Sequence, residues 1–434
     1  MALSAAVLLV GTMAGTLKAD DRVSSDDKGS TFLKMLPLST GAACLDGSPY
    51  GFYLNPSRSK SSKWVISIQG GGWCANEGDC LGRSSGALGS SKHWNNGSVC
   101  YPGGGWDPQL VTGDSNCVYL PYADGASFSG YREEPWPATY SNGTNASLYF
   151  RGARNMAASL DAVIRQFGGF VNATEVLVVG TSAGGLSTLL HLDRIAALLH
   201  ADSVAPNARV RGVSDAGFFL DHATWDHSTA HSFPREMEYI YNMQQLGPNL
   251  DAGCLAATKA AQQPWRCFMA PHLAPFIATP YFLTNSKYDA FQLSSILSEP
   301  CCGHNPPTCN ATDVGRLDSY SRDFVAAVTK LASTKTFQRQ NGAYLTSCVC
   351  HNCAWDQLNF SKTTVLAAMT QWYTESLGDD RQLGQHVSID PRGLNGDGSF
   401  VHTPSCQNWV KTDDVPDCSA CAHGDCPQHC TGSY

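Results

Sequence analysis

Residues 175–199 read EVLVVGTSAGGLSTLLHLDRIAALL, and this stretch decides the fold class. It begins with EVLVV, a run of mostly apolar and β-branched residues that is typical of a buried strand. A tight turn of small residues follows. After the turn, apolar side chains recur at helical spacing, at Leu186, Leu189, Leu192, Ala196 and Leu199. The stretch therefore predicts a strand, a short turn and an amphipathic helix in direct succession.

Other strand and helix signals alternate along the chain on both sides of this unit. Further short apolar runs predict strands, and they are KWVISI (63–68), CVYLPY (117–122), RVRGV (209–213), PYFLT (280–284) and GAYLT (342–346). Residues 154–167 carry apolar side chains at steps of three and four, which predicts a helix before the central strand. Alternating strands and helices favour an α/β fold, with a mostly parallel sheet that has helices on both faces.

The turn of the central unit, Gly180-Thr181-Ser182-Ala183-Gly184, matches the pattern G-x-S-x-G. In α/β-hydrolase-like folds this strained turn presents a serine as a nucleophile, and it needs small neighbours. The N–H of Ala183, at the start of the helix, is placed to stabilise an oxyanion. Five letters are weak evidence in a chain with 41 glycines. The strand before them and the helix after them nevertheless favour Ser182 as a nucleophile.

A glycine loop follows an earlier predicted strand. Gln69-Gly70-Gly71-Gly72-Trp73 comes directly after KWVISI, where the hydrolase fold places its oxyanion loop. The N–H groups of Gly72 and Trp73 are therefore predicted to join that of Ala183 in an oxyanion hole. The alternative is a flexible glycine turn without a catalytic role.

A nucleophilic serine needs a base and an acid, and in this fold both follow it along the chain. His351 comes shortly after GAYLT, between Cys350 and Cys353, and is the predicted base. Asp289 follows PYFLT and is the predicted acid. Asp215, which follows RVRGV one strand earlier, stays open as the rival acid.

Composition excludes several classes of protein. The chain has 434 residues, of which 43% are hydrophobic and 15% charged, so it is too apolar for a disordered or coiled-coil protein. A net charge of −8 argues against a nucleic-acid partner. Beyond the N-terminal residues the chain lacks a run of 18 apolar residues, so we expect no stable membrane insertion. We expect a monomer.

Cysteines and glycosylation motifs predict a secreted protein. The 18 cysteines are an even number that suits a disulfide framework, and they include the adjacent Cys301 and Cys302. Asn-x-Ser/Thr motifs start at Asn96, Asn142, Asn145, Asn172, Asn310 and Asn359. The short apolar run at 2–14 predicts a signal peptide, although it lacks a basic start and a buried N-terminal helix is the alternative.

These signals divide the chain into four parts. We predict a signal peptide at 1–19, a polar linker at 20–31, an α/β-hydrolase-like domain at 32–376 and a Cys-rich C-terminal extension at 377–434. The stretch at about 290–312 contains three cysteines and is predicted to be an insertion held by disulfide bonds.

Two groups of cysteine and histidine residues have the residue types of zinc sites. They are Cys348, Cys350, His351 and Cys353, and in the tail Cys418, Cys421, His423, Cys426, His429 and Cys430. In an oxidising compartment an even number of cysteines favours disulfides instead. We therefore expect neither a metal nor a cofactor.

At these motifs the sequence resembles the pectin acetylesterase family, which also contains the animal Notum carboxylesterases. The matching stretches keep the family's order over about residues 40–375, and they are GGGWC (70–74), YADGASFSG (122–130), YFRG (149–152), GTSAGG (180–185), SDAGFFLD (214–221), YDAFQ (288–292) and Ser347-Cys348 before His351. The family is a group of extracellular α/β-hydrolase-like serine esterases. The resemblance implies Ser182 as nucleophile, Asp289 as acid and His351 as base. The sequence departs from the family's pattern at Ala216, where the family usually has serine. Cys350 and Cys353, which flank His351, form a cysteine pattern that the resemblance does not explain.

The expected function is that of a secreted serine carboxylesterase that removes O-acetyl groups from an extracellular polysaccharide, as the resemblance implies. An acylated substrate is then the partner. One alternative is a Notum-like deacylase that cleaves a fatty acyl ester from a secreted protein. Another is an inactive hydrolase scaffold that acts as a binding module. The presence of a serine, an acid and a histidine in the expected chain order argues against this alternative.

Overall fold

The structure is a computed structural model that describes residues 31–95, 100, 107–228, 232–302, 309–356, 359–360, 363–375 and 386–391. The predicted signal peptide and nearly the whole linker lie outside the described residues. So do most of the predicted C-terminal extension, including its potential zinc ligands, and the glycosylation motif at Asn96.

Strands and helices alternate along the described chain. The strands are β1 (Phe32–Met35), β2 (Gly51–Asn55), β3 (Lys63–Ile68), β4 (Asn116–Leu120), β5 (Trp136–Thr139), β6 (Asn145–Leu148), β7 (Glu175–Thr181), β8 (Arg209–Asp215), β9 (Tyr281–Ser286), β10 (Gly342–Thr346), β11 (Asn359–Phe360), β12 (Thr363–Thr364) and β13 (Val387–Ile389). The helices are α1 (Glu77–Ser84), α2 (Gln109–Thr112), α3 (Gly152–Phe167), α4 (Ala183–Leu199), α5 (Phe233–Gln244), α6 (Ala252–Thr258), α7 (Ala270–Leu273), α8 (Ala290–Ser295), α9 (Ala311–Ala332), α10 (Lys335–Gln340) and α11 (Val365–Thr374).

Within the described residues, nine strands form one sheet in the order β1-β2-β4-β3-β7-β8-β9-β10-β13. In this order, neighbouring strands from β4 through β13 pair in parallel. Strand β2 pairs antiparallel with β4, and β1 pairs antiparallel with β2. The winding reverses beside β3, because β4 lies on one side of it and β7 on the other. In open α/β sheets, sites form at the carboxyl ends of strands next to such a reversal. The predicted mostly parallel sheet is confirmed.

The strand alternation buries both faces of the sheet. In β7, Val176 and Val178 belong to the apolar core on the side of α3, α4 and α9. Leu177 and Val179 point to the opposite face, where they belong to a second core that includes residues of α11. A strand that is apolar at every position is expected where both faces are covered. The prediction of helices on both faces is confirmed.

The sheet continues beyond residue 376, where the sequence predicts the hydrolase domain to end. Strand β13 pairs with β10 in parallel, with Val387 opposite Ala343 and Ile389 opposite Leu345. A strand of three residues is too short to show a periodic pattern, which is why the sequence does not reveal it. The antiparallel strands β1 and β2 and the hairpin of β5 and β6 were also missed.

Where both cysteines of a disulfide bond are described, they are close in sequence. The described pairs are Cys74–Cys80, Cys100–Cys117, Cys254–Cys267, Cys301–Cys309 and Cys350–Cys353. Cys348 is also disulfide-bonded. The cysteines around His351 are therefore oxidised and offer no thiolate to zinc. Cys301 pairs with Cys309, so the insertion at 290–312 is held by a disulfide, whereas Cys302 keeps a free thiol.

The longest described helix is α9, with 22 residues. None of the described helices combines the length and the apolar character that a membrane span requires.

Candidate active site

Ser182 lies at the sharp turn between β7 and α4. Its backbone has φ 58° and ψ −127°, a conformation that is strained for a residue with a side chain. The N–H of Ser182 donates to the carbonyl oxygen of Asp215 at 2.8 Å, and its carbonyl oxygen accepts from the N–H of Leu186 at 3.0 Å. These bonds to β8 and to the first turn of α4 hold the strained backbone in place.

Three glycines let other backbone segments approach this turn. A Cβ atom on Gly180 would overlap the carbonyl oxygen of Gly184, and one on Gly184 would overlap that of Ile68 at the end of β3. A Cβ atom on Gly70 would overlap the carbonyl oxygen of Thr181. The glycines of G-x-S-x-G and of the loop after β3 thus allow the two loops to pack directly on each other.

His351 and Asp289 come together with Ser182 although they lie more than 100 residues from it along the chain. His351 Nε2 is 2.8 Å from Ser182 Oγ, and His351 Nδ1 is 2.9 Å from both carboxylate oxygens of Asp289. Because a carboxylate only accepts, Nδ1 carries the proton and donates it to Asp289. Nε2 is then free to accept the hydroxyl proton of Ser182.

The carboxylate of Asp289 is fully buried at the start of α8, just beyond β9. Its Oδ1 accepts from the N–H of Gln292 at 3.1 Å, and its Oδ2 accepts from Asn285 Nδ2 at 3.1 Å. Both oxygens therefore have a donor besides the imidazole, which stabilises the negative charge inside the protein.

The segment that carries His351 is held on several sides. The disulfide Cys350–Cys353 encloses the histidine, and the carbonyl oxygen of Cys350 accepts from the N–H of Ala290 at 3.3 Å. The rings of Phe291 and Phe219 lie 5.4 and 6.2 Å from the imidazole, centroid to centroid. We call residues 350–355 the histidine loop.

The loop after β3 presents N–H groups next to the nucleophile turn. Among the described residues, no acceptor takes a hydrogen bond from the N–H of Gly72, Trp73 or Ala183. Gly72 has φ +66°, which a glycine adopts without strain. Ala183 is the first residue of α4, so the positive end of that helix faces the same place.

Three carbonyl oxygens of the same loop accept hydrogen bonds from side chains. Arg83 donates to the carbonyl oxygens of Gly71 and Trp73 at 2.6 and 3.1 Å, and the hydroxyl of Tyr122 donates to that of Gly72 at 2.8 Å. This arrangement fixes the direction of the peptide groups, so that their N–H groups point the other way. Sequence reasoning missed both Arg83 and Tyr122, because neither lies in a catalytic motif. Only the family-like stretch YADGASFSG, which starts at Tyr122, carried a signal.

Asp215 makes no hydrogen bond with the imidazole of His351, whose two nitrogens face Asp289 and Ser182. Its buried carboxyl group is 3.0 Å from Thr181 Oγ1 and faces the indole of Trp355. Asp289 therefore occupies the place of an acid that orients the histidine, and the rival interpretation of Asp215 in that place does not fit the geometry.

A protein-family model described as pectinacetylesterase matches residues 24–392. The chain belongs to the pectinacetylesterase family. This family member is 29% identical to pectin acetylesterase 5 of Arabidopsis thaliana over 375 residues, which cover 81% of this chain and 82% of the relative. It is 26% identical to the palmitoleoyl-protein carboxylesterase Notum of Schmidtea mediterranea over 376 residues, which cover 83% and 66%.

A solved structure supports the fold of this pectinacetylesterase-family protein. The crystal structure of the Wnt deacylase Notum from Drosophila superposes with a TM-score of 0.66 at 24% identity, covering 82% of this chain and 96% of that one. The family resemblance and the α/β-hydrolase-like fold predicted from the sequence are confirmed. The protein is a carboxylic ester hydrolase.

Proposed function

We propose that the protein is a secreted serine carboxylesterase that removes O-acetyl groups from an extracellular polysaccharide through a covalent acyl-enzyme. The observation that carries the proposal is the continuous hydrogen-bond line from Ser182 through His351 to Asp289. Relatives named pectin acetylesterases support the acetyl group and the polysaccharide. The disulfide bonds support an oxidising, extracellular location.

In the acylation step, Ser182 Oγ attacks the carbonyl carbon of the acetyl ester while its proton passes to His351 Nε2. Asp289 stabilises the imidazolium that forms. The tetrahedral oxyanion accepts hydrogen bonds from the N–H groups of Gly72, Trp73 and Ala183. The intermediate collapses when the C–O bond to the sugar breaks, and the departing sugar oxygen takes the proton from His351.

In the deacylation step, water takes the place of the sugar. His351 Nε2 accepts a proton from the water as its oxygen attacks the acetyl carbon. The same N–H groups stabilise the second oxyanion. Acetate leaves when the bond to Ser182 Oγ breaks, and the proton returns from His351 to the serine. Apart from this water, each step uses side chains or backbone groups of the chain.

A group of aromatic rings packs beside the proposed base. The ring of Trp73 lies 4.8 Å from that of Phe219 and 5.5 Å from that of Phe233, and Phe219 lies 5.7 Å from Phe291. Rings at these distances are in contact and fill the space between them. Phe219 and Phe291 also pack on His351, so this filled space adjoins the base. These rings place an apolar wall beside the proposed base.

The test compares p-nitrophenyl acetate with p-nitrophenyl octanoate for the wild type and for Ser182→Ala. We expect kcat/KM to fall from acetate to octanoate, and we expect the variant to lose about 10⁴- to 10⁶-fold in kcat while its Tm is kept. Acetate release from acetylated pectin checks the substrate class. Full activity of Ser182→Ala would overturn the mechanism.

Two other outcomes would assign a different function. A preference for octanoate would favour a Notum-like deacylase, which the similarity to Notum proteins makes the second candidate. Absence of activity together with absence of labelling by a fluorophosphonate would favour a binding module on an inactive scaffold.

A further inference from the structure

Asp215 is a buried acid that the proposed mechanism leaves without a task. It is the last residue of β8 and lies opposite Thr181, the last residue of β7, in the parallel register of the two strands. Its carbonyl oxygen accepts from the N–H of Ser182 at 2.8 Å, and its carboxyl Oδ2 is 3.0 Å from Thr181 Oγ1. One residue thus contacts both the nucleophile turn and the strand that leads to it.

The hydroxyl of Thr181 extends this contact to the histidine loop. Thr181 Oγ1 is 2.6 Å from Oδ1 of Asn352, the residue that directly follows His351. Asn352 has φ +57°, so its backbone is held in a left-handed conformation. Trp355, further along the same loop, faces the carboxyl group of Asp215 with its indole. Two residues of the histidine loop are therefore connected to Asp215, one through Thr181 and one directly.

The side chains of Asp215, Thr181 and Asn352 form a row of hydrogen-bonding groups. This row requires a second hydrogen-bond donor besides Thr181. The hydroxyl of Thr181 carries one proton, yet it lies between two oxygens, Oδ2 of Asp215 and Oδ1 of Asn352. A protonated Asp215 completes the row, because it donates to Thr181 while Thr181 donates to Asn352. Burial raises the pKa of Asp215 to about 7. The hydrogen bonds of Trp355 and Thr181 and the charge of His351 act against this rise, whereas the negative charge of Asp289 adds to it.

We propose that Asp215 is a positioning residue which, through Thr181 and Asn352, holds His351 at hydrogen-bonding distance from Ser182. The proposal rests on the proposed catalytic roles of Ser182 and His351. It also assigns a role to the acidic residue of the motif Ser214-Asp215-Ala216-Gly217. Asp215 itself touches neither the substrate nor the reacting atoms. Its effect is expected in kcat, because the position of the base matters most in the transition state.

The first test compares Asp215→Ala with Asp215→Asn. The alanine variant breaks the row, and we expect kcat for p-nitrophenyl acetate to fall by about 10- to 100-fold at pH 6 with little change in KM. The asparagine variant keeps a donor towards Thr181, and we expect it to retain most of the activity at pH 6. Above pH 7 the wild-type carboxyl group loses its proton, whereas asparagine donates at every pH. The ratio of kcat of Asp215→Asn to that of the wild type should therefore rise between pH 6 and pH 9.

The second test concerns the middle of the row and remains informative if Asp215→Ala does not fold. Thr181→Val removes the hydroxyl without a change in size and should lower kcat in the same way, whereas Thr181→Ser should restore it. The matched control is Asp193→Asn, on α4, whose carboxylate accepts N–H groups of Ala278 and Thr279 away from the histidine loop. This control should keep the wild-type pH profile.

The outcomes separate this inference from the proposed function. If Ser182→Ala is inactive while Thr181→Val and Asp215→Asn keep wild-type kcat and pH profile, the positioning role is wrong and the proposed function stands. If Ser182→Ala is as active as the wild type, the proposed function is wrong and the positioning role falls with it.

Discussion

Asp289 shows how much one residue's hydrogen-bond geometry decides. Both of its carboxylate oxygens accept a hydrogen bond from a neighbouring amide besides the bond to His351. An amide NH₂ group at this position would face a donor in either orientation. Only a carboxylate satisfies Asn285, Gln292 and the imidazole at the same time.

We predict that Asp289→Asn lowers kcat by about 10³- to 10⁴-fold, because the histidine is no longer held with its proton on Nδ1. The measurement is steady-state hydrolysis of p-nitrophenyl acetate together with a thermal unfolding curve. Asp251→Asn is the matched control, since Asp251 also caps a helix, α6, by accepting the N–H of Cys254 at 2.7 Å. Asparagine caps a helix about as well as aspartate. An equal loss of activity in both variants would contradict the prediction.

At the scale of elements, the histidine loop depends on a disulfide that closes a very short ring. A cross-link over so few residues restricts the unfolded chain little, so it contributes less stability than the roughly 3 kcal/mol of a 15-residue loop. Its main consequence is local, because it encloses His351.

We therefore predict that the double variant Cys350→Ala/Cys353→Ala loses more in kcat than in stability. Loss of loop geometry should lower kcat by about tenfold or more, as misplacement of a base does. The control is Cys254→Ala/Cys267→Ala, which removes the disulfide between α6 and the following turn. That variant should lower Tm and leave kcat near the wild-type value. The reverse pattern would show that the Cys350–Cys353 bond is purely structural.

A second prediction at this scale concerns the charge of Glu236, on α5, near α1. Glu236 on α5 is partly buried, and burial together with the negative charge of Asp79 on α1 raises its pKa to about 7. The folded state then binds a proton between pH 4.5 and 7 that the unfolded state has released. The stabilisation from this proton is complete at low pH and is lost as the pH rises through 7.

Glu236→Gln should therefore raise Tm relative to the wild type at pH 8 and change it little at pH 5. Thermal unfolding at both pH values is the measurement. Glu238→Gln serves as the control, because Glu238 lies on the same helix with a side chain that is 38% exposed and paired with Arg235. A Tm difference for Glu236→Gln that is the same at both pH values would contradict the assignment.

At the scale of the whole molecule, the last described segment belongs to the sheet. Asp390 follows β13 and is buried, and its Oδ2 accepts from Ser347 Oγ at 2.6 Å. Its N–H donates to the carbonyl oxygen of Leu345, and its carbonyl oxygen accepts from Lys287 Nζ at 2.8 Å. The chain segments that lead to the proposed acid and to the proposed base are thus both hydrogen-bonded to a segment beyond the predicted end of the domain.

Asp390→Ala should lower the free energy of unfolding by about 1–3 kcal/mol, since it leaves the buried hydroxyl of Ser347 without its acceptor. Urea unfolding measures this loss. Asp161→Ala on α3 is the control, because its ion pair with Arg165 is exposed and contributes little. Equal midpoints for the two variants would mean that the segment after β13 does not stabilise the sheet.

The sequence by itself determined the parallel part of the sheet except for the short strand β13. Six apolar runs and the strand-turn-helix around Ser182 are local patterns, and a strand buried on both faces is apolar at every position. Local patterns also located the glycine loop and, from chain order, the three residues of the proposed triad. They left Asp289 and Asp215 as rivals, because both follow a strand in the same way.

Only the tertiary structure shows which of these two carboxylates reaches the imidazole of His351, and it is that of Asp289. It also disclosed Arg83, Tyr122, Thr181 and Asn352, whose contacts join loops that are distant along the chain. The short strand β13 and the pairing of Cys301 with Cys309 are also features that only the tertiary structure shows. Periodicity along a chain reports which residues are buried, whereas a hydrogen bond between loops depends on how the strands are ordered in space.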